Sequence, residues 1–347
     1  MKNTRKSKVL ISGGLSFIGS NFIELLLNSS RFKILNIDKI SYSSVYKFKK
    51  NIPSKSYSFI KCDISNEKKL SVILNSFRPD FIINFASESH VDRSIDKPDD
   101  FLKSNLIGVY NFLEIIRKNK IFLKKIKFVQ ISTDEVYGSI SKGSFNEKSP
   151  LNPSSPYSTT KASAELFVKS WSSLYNINSV IINCVNNFGP HQFPEKLIPL
   201  SVLKFLRNEK VDIYGNGKNK REWIFVEDFC KSIFNISFSK NKNKQYCVTS
   251  EFEITNIELV KYIYSRMTNN SNPKYKNFIN YVKDRPAHDK RYSLNNELYK
   301  KEFKSKKMNN KDFFAKLDYT IEWYKENISK IKSYKDYSGN RIGIIKK

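Results

Sequence analysis

Short β-branched runs alternate with amphipathic stretches through the first half of the chain. Residues 8–11, 33–37, 57–61, 81–85, 127–131 and 179–184 form the apolar runs, and each is short enough to be a strand. Between them, residues 17–28 and 99–119 repeat apolar side chains at three- and four-residue spacing, which predicts helices. Strands that are apolar almost throughout have no polar face to give to solvent. Their alternation with helices therefore predicts an α/β fold built on a Rossmann-type doubly wound parallel sheet. After Phe188 the pattern changes to shorter elements around Pro190, Pro194 and Pro199, with a Lys/Asn-rich stretch at 240–244. We expect a dinucleotide-binding domain over 1–187 and a smaller substrate lobe over 188–347, with about 223–250 returning to the sheet. Residues 301–311 read as polar loop before an amphipathic helix around 319–325, and no internal repeat is visible.

With 347 residues, the chain is long enough for one large and one small core. A formal charge of +28 raises the question of nucleic acid. The lysines are spread along the whole chain, however, and no basic block is interleaved with aromatics, so a solvated basic surface without a nucleic-acid partner is expected. Such a surface still steers anionic substrates inward. Cys62, Cys184, Cys230 and Cys247 form no C-x-x-C pair, which predicts reduced thiols and a cytoplasmic protein. The first apolar stretch is cut by Gly13, Gly14 and Glu24, so neither a signal peptide nor a membrane span is expected.

Chemistry concentrates at strand ends. Gly13, Gly14 and Gly19 follow the first strand and open a helix, where backbone amides can meet a pyrophosphate. Asp38 ends the second strand, placed to accept from a ribose 2′-hydroxyl, which favours NAD over NADP, although Lys39 beside it weakens that inference. Asp63 ends the third strand and could meet an adenine, and Ala86 and Ser87 leave the fourth as small residues able to lie along a cofactor. Thr133, Asp134 and Glu135 follow the apolar run 127–131, and Tyr157 and Lys161 share one helical face four residues apart. A tyrosine base, a lysine that tunes it and an acid pair suit an enzyme that oxidises a hydroxyl and then moves a second proton. The acid pair could instead cap a helix or enter ion pairs. His90, His191 and His288 show no metal-ligand spacing, so no metal site is expected.

At these residues the chain resembles the extended short-chain dehydrogenase/reductases and, among them, the dTDP-glucose 4,6-dehydratase family. The segments SESHVDRS (87–94), STDEVYG (132–138), NNFGPHQFPEKLIPL (186–200) and DRPAHDKRY (284–292) carry the narrower part of the resemblance. It implies an NAD cofactor held by Gly13, Ser16, Phe17, Ile18, Gly19, Asp38, Lys39, Asp63, Ile64, Ala86, Ser87, Tyr157 and Lys161. It implies a nucleotide sugar, dTDP-glucose, held by Ser89, His90, Asn187, Glu195, Lys196, Leu197, Tyr214, Arg221, Asn256, Arg285 and His288. Tyr214 would stack near the base; Asn256 could as well be a helix cap, and His90 a satisfied buried histidine.

By the same resemblance, Tyr157 as phenolate takes the 4-hydroxyl proton, its pKa lowered by Lys161 and the nicotinamide. Thr133 bonds the 4-oxygen, Glu135 removes the C5 proton and Asp134 protonates the departing 6-hydroxyl. A homodimer through the helices at 99–119 and 158–175 is implied as well. Some positions depart from the family pattern: Ser16 replaces a glycine and could crowd the phosphates, Val185 replaces a serine, Glu222 an aspartate, Phe229 a histidine, and Thr249 and Ser250 replace glycines. UDP-glucose as substrate, a 4-epimerase of the same fold, and a non-catalytic binding protein are the competing readings.

Overall fold

The computed structural model describes residues 5–44, 55–270, 272–284, 286, 288–304 and 307–327. The first half runs β1 (Ser7–Ser12), α1 (Phe17–Leu27), β2 (Phe32–Asp38), β3 (Tyr57–Lys61), α2 (Glu67–Phe77), β4 (Phe81–Asn84), α3 (Val91–Asp96) and α4 (Pro98–Phe101). A π-helical turn (Leu102–Ile107) then leads into α5 (Gly108–Lys118), α6 (Lys120–Lys125), β5 (Lys127–Thr133), a 3₁₀ turn (Asp134–Tyr137), α7 (Pro156–Tyr175) and β6 (Ser179–Cys184). The remainder is β7 (Asn186–Phe188), α8 (Leu197–Leu206), β8 (Val211–Tyr214), β9 (Lys220–Phe225), α9 (Val226–Ser237) and β10 (Lys244–Val248). It closes with β11 (Glu253–Thr255), α10 (Asn256–Thr268), β12 (Ile279–Val282), α11 (Glu297–Phe303) and α12 (Asn310–Asn327).

Seven parallel strands form the main sheet in the order β10-β6-β5-β4-β1-β2-β3. The chain winds outward from β1 through β2 and β3, then restarts at β4 and winds the other way. The reversal between β1 and β4 opens a crevice at their carboxyl ends, where such sheets bind ligands. All seven residues of β5 are buried, as expected for a central strand covered on both faces. Of its polar members, Lys127, Gln130 and Thr133 are bonded in place. Asn84 on β4 donates to Gln130 at 2.8 Å and accepts from Ser12 on β1 at 2.6 Å. Lys127 donates to the carbonyls of Ile236 and Ser239 at the end of α9.

The second lobe has its own core of Phe188, Ile198, Val202, Phe225, Leu259, Phe313 and neighbours, around a sheet ordered β11-β9-β7 and a parallel β8-β12 pair. Among the described residues, no helix is long and apolar enough to cross a membrane.

Two predicted elements differ. The helix expected over 99–119 is broken by the π-turn, and Gly108 closes that turn where a Cβ would lie 2.3 Å from Ile64 Cδ1. The widened turn lets Ser104 and Asn105 bury their polar ends toward the crevice instead of facing solvent. The loop expected over 301–311 begins three residues late, because α11 extends to Phe303, whose ring packs against Tyr246 on β10 at 5.8 Å.

Candidate active site

β5 delivers the acid pair. Thr133 caps the 3₁₀ turn, its hydroxyl accepting from Glu135 N at 3.3 Å and donating to Asp134 Oδ1 at 3.0 Å. The cap is thus the threonine, and the two acids are left for other work. Gly138 ends the turn at φ +77°, where a Cβ would meet Asn152 O at 2.4 Å. α7 begins just before the tyrosine through Pro156 and a capping box of Ser155 with Ser158. Tyr157 therefore projects from the first turn and Lys161 from the next. The tyrosine ring packs on Val91 and edge-on to Phe101, 6.3 Å away.

Electrostatics separates the two acids. Asp134 is 3% exposed, and its Oδ2 is buried with no hydrogen-bond partner among the described residues. Burial, then the Glu135 charge beside it, pushes its carboxyl well above the usual range, which favours the protonated form. Glu135, on the same turn, is half-buried. The tyrosine differs from expectation. Burial and the Glu135 charge hold the Tyr157 phenol well above its ordinary value, while burial lowers Lys161 to about 8. The ammonium of Lys161 is turned to Ile131 O at 2.6 Å, so it does not by itself favour the phenolate. The Thr133 hydroxyl beside the phenol acts the other way and lowers it.

The crevice fits a dinucleotide. Gly13 has φ +73°, and a Cβ there would stand 2.6 Å from the Ala86 backbone, so only glycine lets the two strand exits approach this closely. A Cβ on Gly19 would stand 2.4 Å from Gly13 O. Phe17 and Ile18 begin α1, where first-turn amides have no intrahelical acceptor. Ser16 does not crowd the turn. Its φ of −79° suits any residue, and its hydroxyl folds back to Gly13 O at 2.5 Å. Asp38 Oδ2 accepts from Leu15 N, and Oδ1 accepts from Ile40 N and the Ser44 hydroxyl. Lys39 pairs with Glu88 at 2.6 Å, which occupies the charge that would otherwise favour a 2′-phosphate. Asp63 accepts from Ser65, Ile64 is buried beneath Gly108, and Ser87 donates to Asn105.

Opposite, the second lobe meets α3. His90 caps that helix by accepting from Arg93 N and lies 4.0 Å from Glu195. Glu195, its carboxyl raised by burial, accepts from Tyr42 and approaches Arg93 at 3.5 Å. Lys196 donates to Ser89 O at 2.9 Å, and Leu197 opens α8. Tyr214 donates to Asp92 at 2.7 Å and lies edge-on to His288, which pairs with Asp284. Arg221 is buried under Tyr292 and donates to the carbonyls of Lys220, Asp289 and Lys290. The buried Oδ1 atoms of Asn187 and Asn256 have no partner among the described residues, as suits groups awaiting a polar ligand. Asn256 is not a cap; Thr255 and Glu258 form the capping box of α10. Arg285 lies outside the described residues.

Sequence reasoning missed Glu88, Ser104 and Asn105, which tie the crevice together. It noted Glu222 and Thr249 only as separate departures, yet they bond each other at 2.5 Å.

A profile of the family described as GDP-mannose 4,6 dehydratase matches residues 10–313. A probable dTDP-glucose 4,6-dehydratase of Sinorhizobium fredii is 37% identical, over 98% of this chain and 99% of its own length. The dTDP-glucose 4,6-dehydratase of Neisseria gonorrhoeae is 33% identical over 94% of this chain and 98% of its own. A crystal structure of the Bacillus anthracis dTDP-glucose 4,6-dehydratase in complex with NAD superposes with a TM-score of 0.81 at 35% identity, covering 93% of this chain and 98% of that one. UDP-glucose 4-epimerases at 22% identity share the fold. With matches of this extent to family profile, relatives and solved structure, the chain belongs to the GDP-mannose 4,6 dehydratase family and groups there with the dTDP-glucose 4,6-dehydratases.

Proposed function

We propose that this protein is a cytoplasmic, NAD-dependent hydro-lyase that converts dTDP-glucose to the 4-keto-6-deoxy sugar. The observation that carries the reading is the acid pair on one turn beside Tyr157, with Asp134 buried and its carboxyl raised, and Glu135 half-buried. A 4-epimerase has no need of such a pair.

When bound, NAD accepts hydride from C4 and returns it to C6. Tyr157 removes the 4-hydroxyl proton while the Thr133 hydroxyl holds the 4-oxygen. Burial favours the protonated phenol, and only the phenolate can accept that proton, so positive charge brought against the ring would be needed to populate the base. With C4 a ketone, the C5 proton is acidic, and Glu135 takes it. Asp134 gives its proton to the departing 6-hydroxyl, leaving water and a 4-keto-5,6-ene, and with hydride returned to C6, Glu135 gives its proton back to C5. Adjacent carboxyls in opposite roles need unequal pKa values, and burial of one supplies the difference. The diphosphate lies toward Arg221, Lys196 and Asn187, where a planar guanidinium can donate twice.

The protein works as a homodimer through α5 and α7. The stacked Phe167 and Trp171, with Tyr110 and Tyr175 against them, form an aromatic face there, and Leu166 and Leu174 beside it are more than half exposed. That is too much apolar surface to leave wet.

The test incubates the purified protein with dTDP-glucose and, separately, UDP-glucose, with and without added NAD, and follows the 4-keto-6-deoxy product. Product from dTDP-glucose is expected. Product from UDP-glucose alone moves the base preference, and no product from either sugar with NAD supplied overturns the reading.

A further inference from the structure

The π-turn faces the crevice, and such turns are frequent at functional sites. Its two polar residues are almost wholly buried. Ser104 accepts from Lys39 Nζ at 2.9 Å. Asn105 accepts from the amide of Glu88 at 2.9 Å, donates to its carbonyl at 3.0 Å and donates to the Thr160 hydroxyl at 3.0 Å. Glu88 is thus fixed by its backbone to the helix that carries Tyr157 and Lys161, and its carboxylate is aimed at Lys39.

The two partners come from opposite banks. Lys39 follows the last residue of β2, and Glu88 lies four residues past the end of β4. β1 runs between those strands, so their exits are separated by about 10 Å, two strand spacings. The Lys39–Glu88 pair at 2.6 Å bridges the exits of β2 and β4, with β1, which leads into the Gly13 turn, between them. The Glu88 side chain is only 11% exposed and Lys39 33%, so the pair is shielded enough to resist salt screening in part.

We propose that this ion pair is a clasp that closes over the bound dinucleotide and keeps it in place from one turnover to the next. The inference rests on the cofactor reading given above. It fits that reaction, because hydride lent in one step is recovered in another and nothing is gained by exchanging the cofactor. Ser104 and Asn105 are positioning residues that hold the two halves of the clasp.

The test measures bound NAD per chain in purified holoprotein and the rate at which it exchanges for isotopically labelled NAD. Glu88→Gln and Lys39→Met should each exchange about tenfold faster or more, a loss of at least about 1.4 kcal/mol of retention. The double variant should exchange no faster than the faster single one, whereas Lys39→Arg should stay slow. Folding is checked by melting in saturating NAD. If either variant does not fold, wild-type exchange is read against salt, since a clasp that opens by breaking an ion pair opens faster as ionic strength rises. Singles that exchange at the wild-type rate, effects that multiply in the double variant, or a wild-type rate flat in salt overturn the clasp alone. A wild-type protein that binds no NAD overturns the cofactor reading and the clasp with it.

Discussion

The strand ends of the large sheet and the second lobe present polar groups to the same crevice but hold them by different means. On the sheet, position follows from topology. Asp38 and Thr133 are the last residues of parallel strands, and their neighbours fall into the crevice because the register puts them there. In the second lobe, position is negotiated between distant segments. Arg221 leans on carbonyls 68 and 69 residues away, and Glu222 is held by Thr249, Ser293 and Leu294, 27 to 72 residues away. Proton chemistry, which tolerates little displacement, is built on the rigid part. Nucleotide recognition is assembled from loops.

If that division holds, substitutions on the sheet side act on turnover and those on the lobe act on substrate affinity. Tyr157→Phe should have the largest effect, lowering kcat by about 10³-fold or more, with no reduced cofactor formed in a single turnover. Reduced cofactor in normal yield would remove Tyr157 from the oxidation step. Glu135→Gln should cost about 10²-fold in kcat. Here reduced cofactor should accumulate, because oxidation precedes the step that is blocked, and KM should hardly move. A KM that rises instead would blur the division at its strongest point. Arg221→Lys is the reciprocal case. Losing the fork that grips three backbone carbonyls, and that the proposed function turns toward the diphosphate, should raise KM about 10- to 100-fold while kcat stays within about threefold. An equal fall in kcat would show the lobe taking part in the chemistry.

Asp134 tests the same division through stability. Its folded pKa is raised, so the native state holds a proton that the unfolded chain gives up near the ordinary carboxylate value. Between those two values the native state binds more protons than the unfolded one, and stability must fall as pH rises through that window. Asp134→Asn cannot titrate. Melting scans from pH 5 to about pH 9 should show the wild type losing more stability than the variant toward the alkaline end. Parallel curves would mean that Asp134 ionises normally and is not the acid.

What the sequence discloses follows the same line. The six strands and the glycine turn are legible because apolar runs and tight approaches leave local marks. The acid pair is legible as residues, but the inequality between its members is a matter of burial, visible only in the fold. Tyr157 shows the limit most sharply. Reading Lys161 as its activator follows from helical spacing, yet the ammonium is spent on Ile131 O and the phenol is raised. The π-turn leaves no periodicity distinct from an α-helix over six residues, and the partners that justify it, Lys39 and Glu88, lie 65 and 17 residues away. By contrast, the Thr255 cap was readable from its T-x-x-E spacing with Glu258, a stronger signal than a lone Asn.

The smallest effect is expected at Ser16, where the comparison meets a departure from the family pattern on the rigid side. A glycine is required where φ is positive or a neighbour leaves no room for Cβ, as at Gly13. Ser16 meets neither condition on its backbone: φ is −79° and ψ 172°, an extended conformation open to every residue. Its hydroxyl also closes the turn onto Gly13 O. Ser16→Gly therefore gives up one hydrogen bond and frees the unfolded chain, which should lower stability by about 0.5–1.5 kcal/mol. NAD affinity, measured by titration of the stripped protein, should shift by no more than about threefold, below 1 kcal/mol. Tightening by tenfold or more would mean that the serine does stand against the phosphates, and that the sheet's turn is less fully set by its backbone than its register implies.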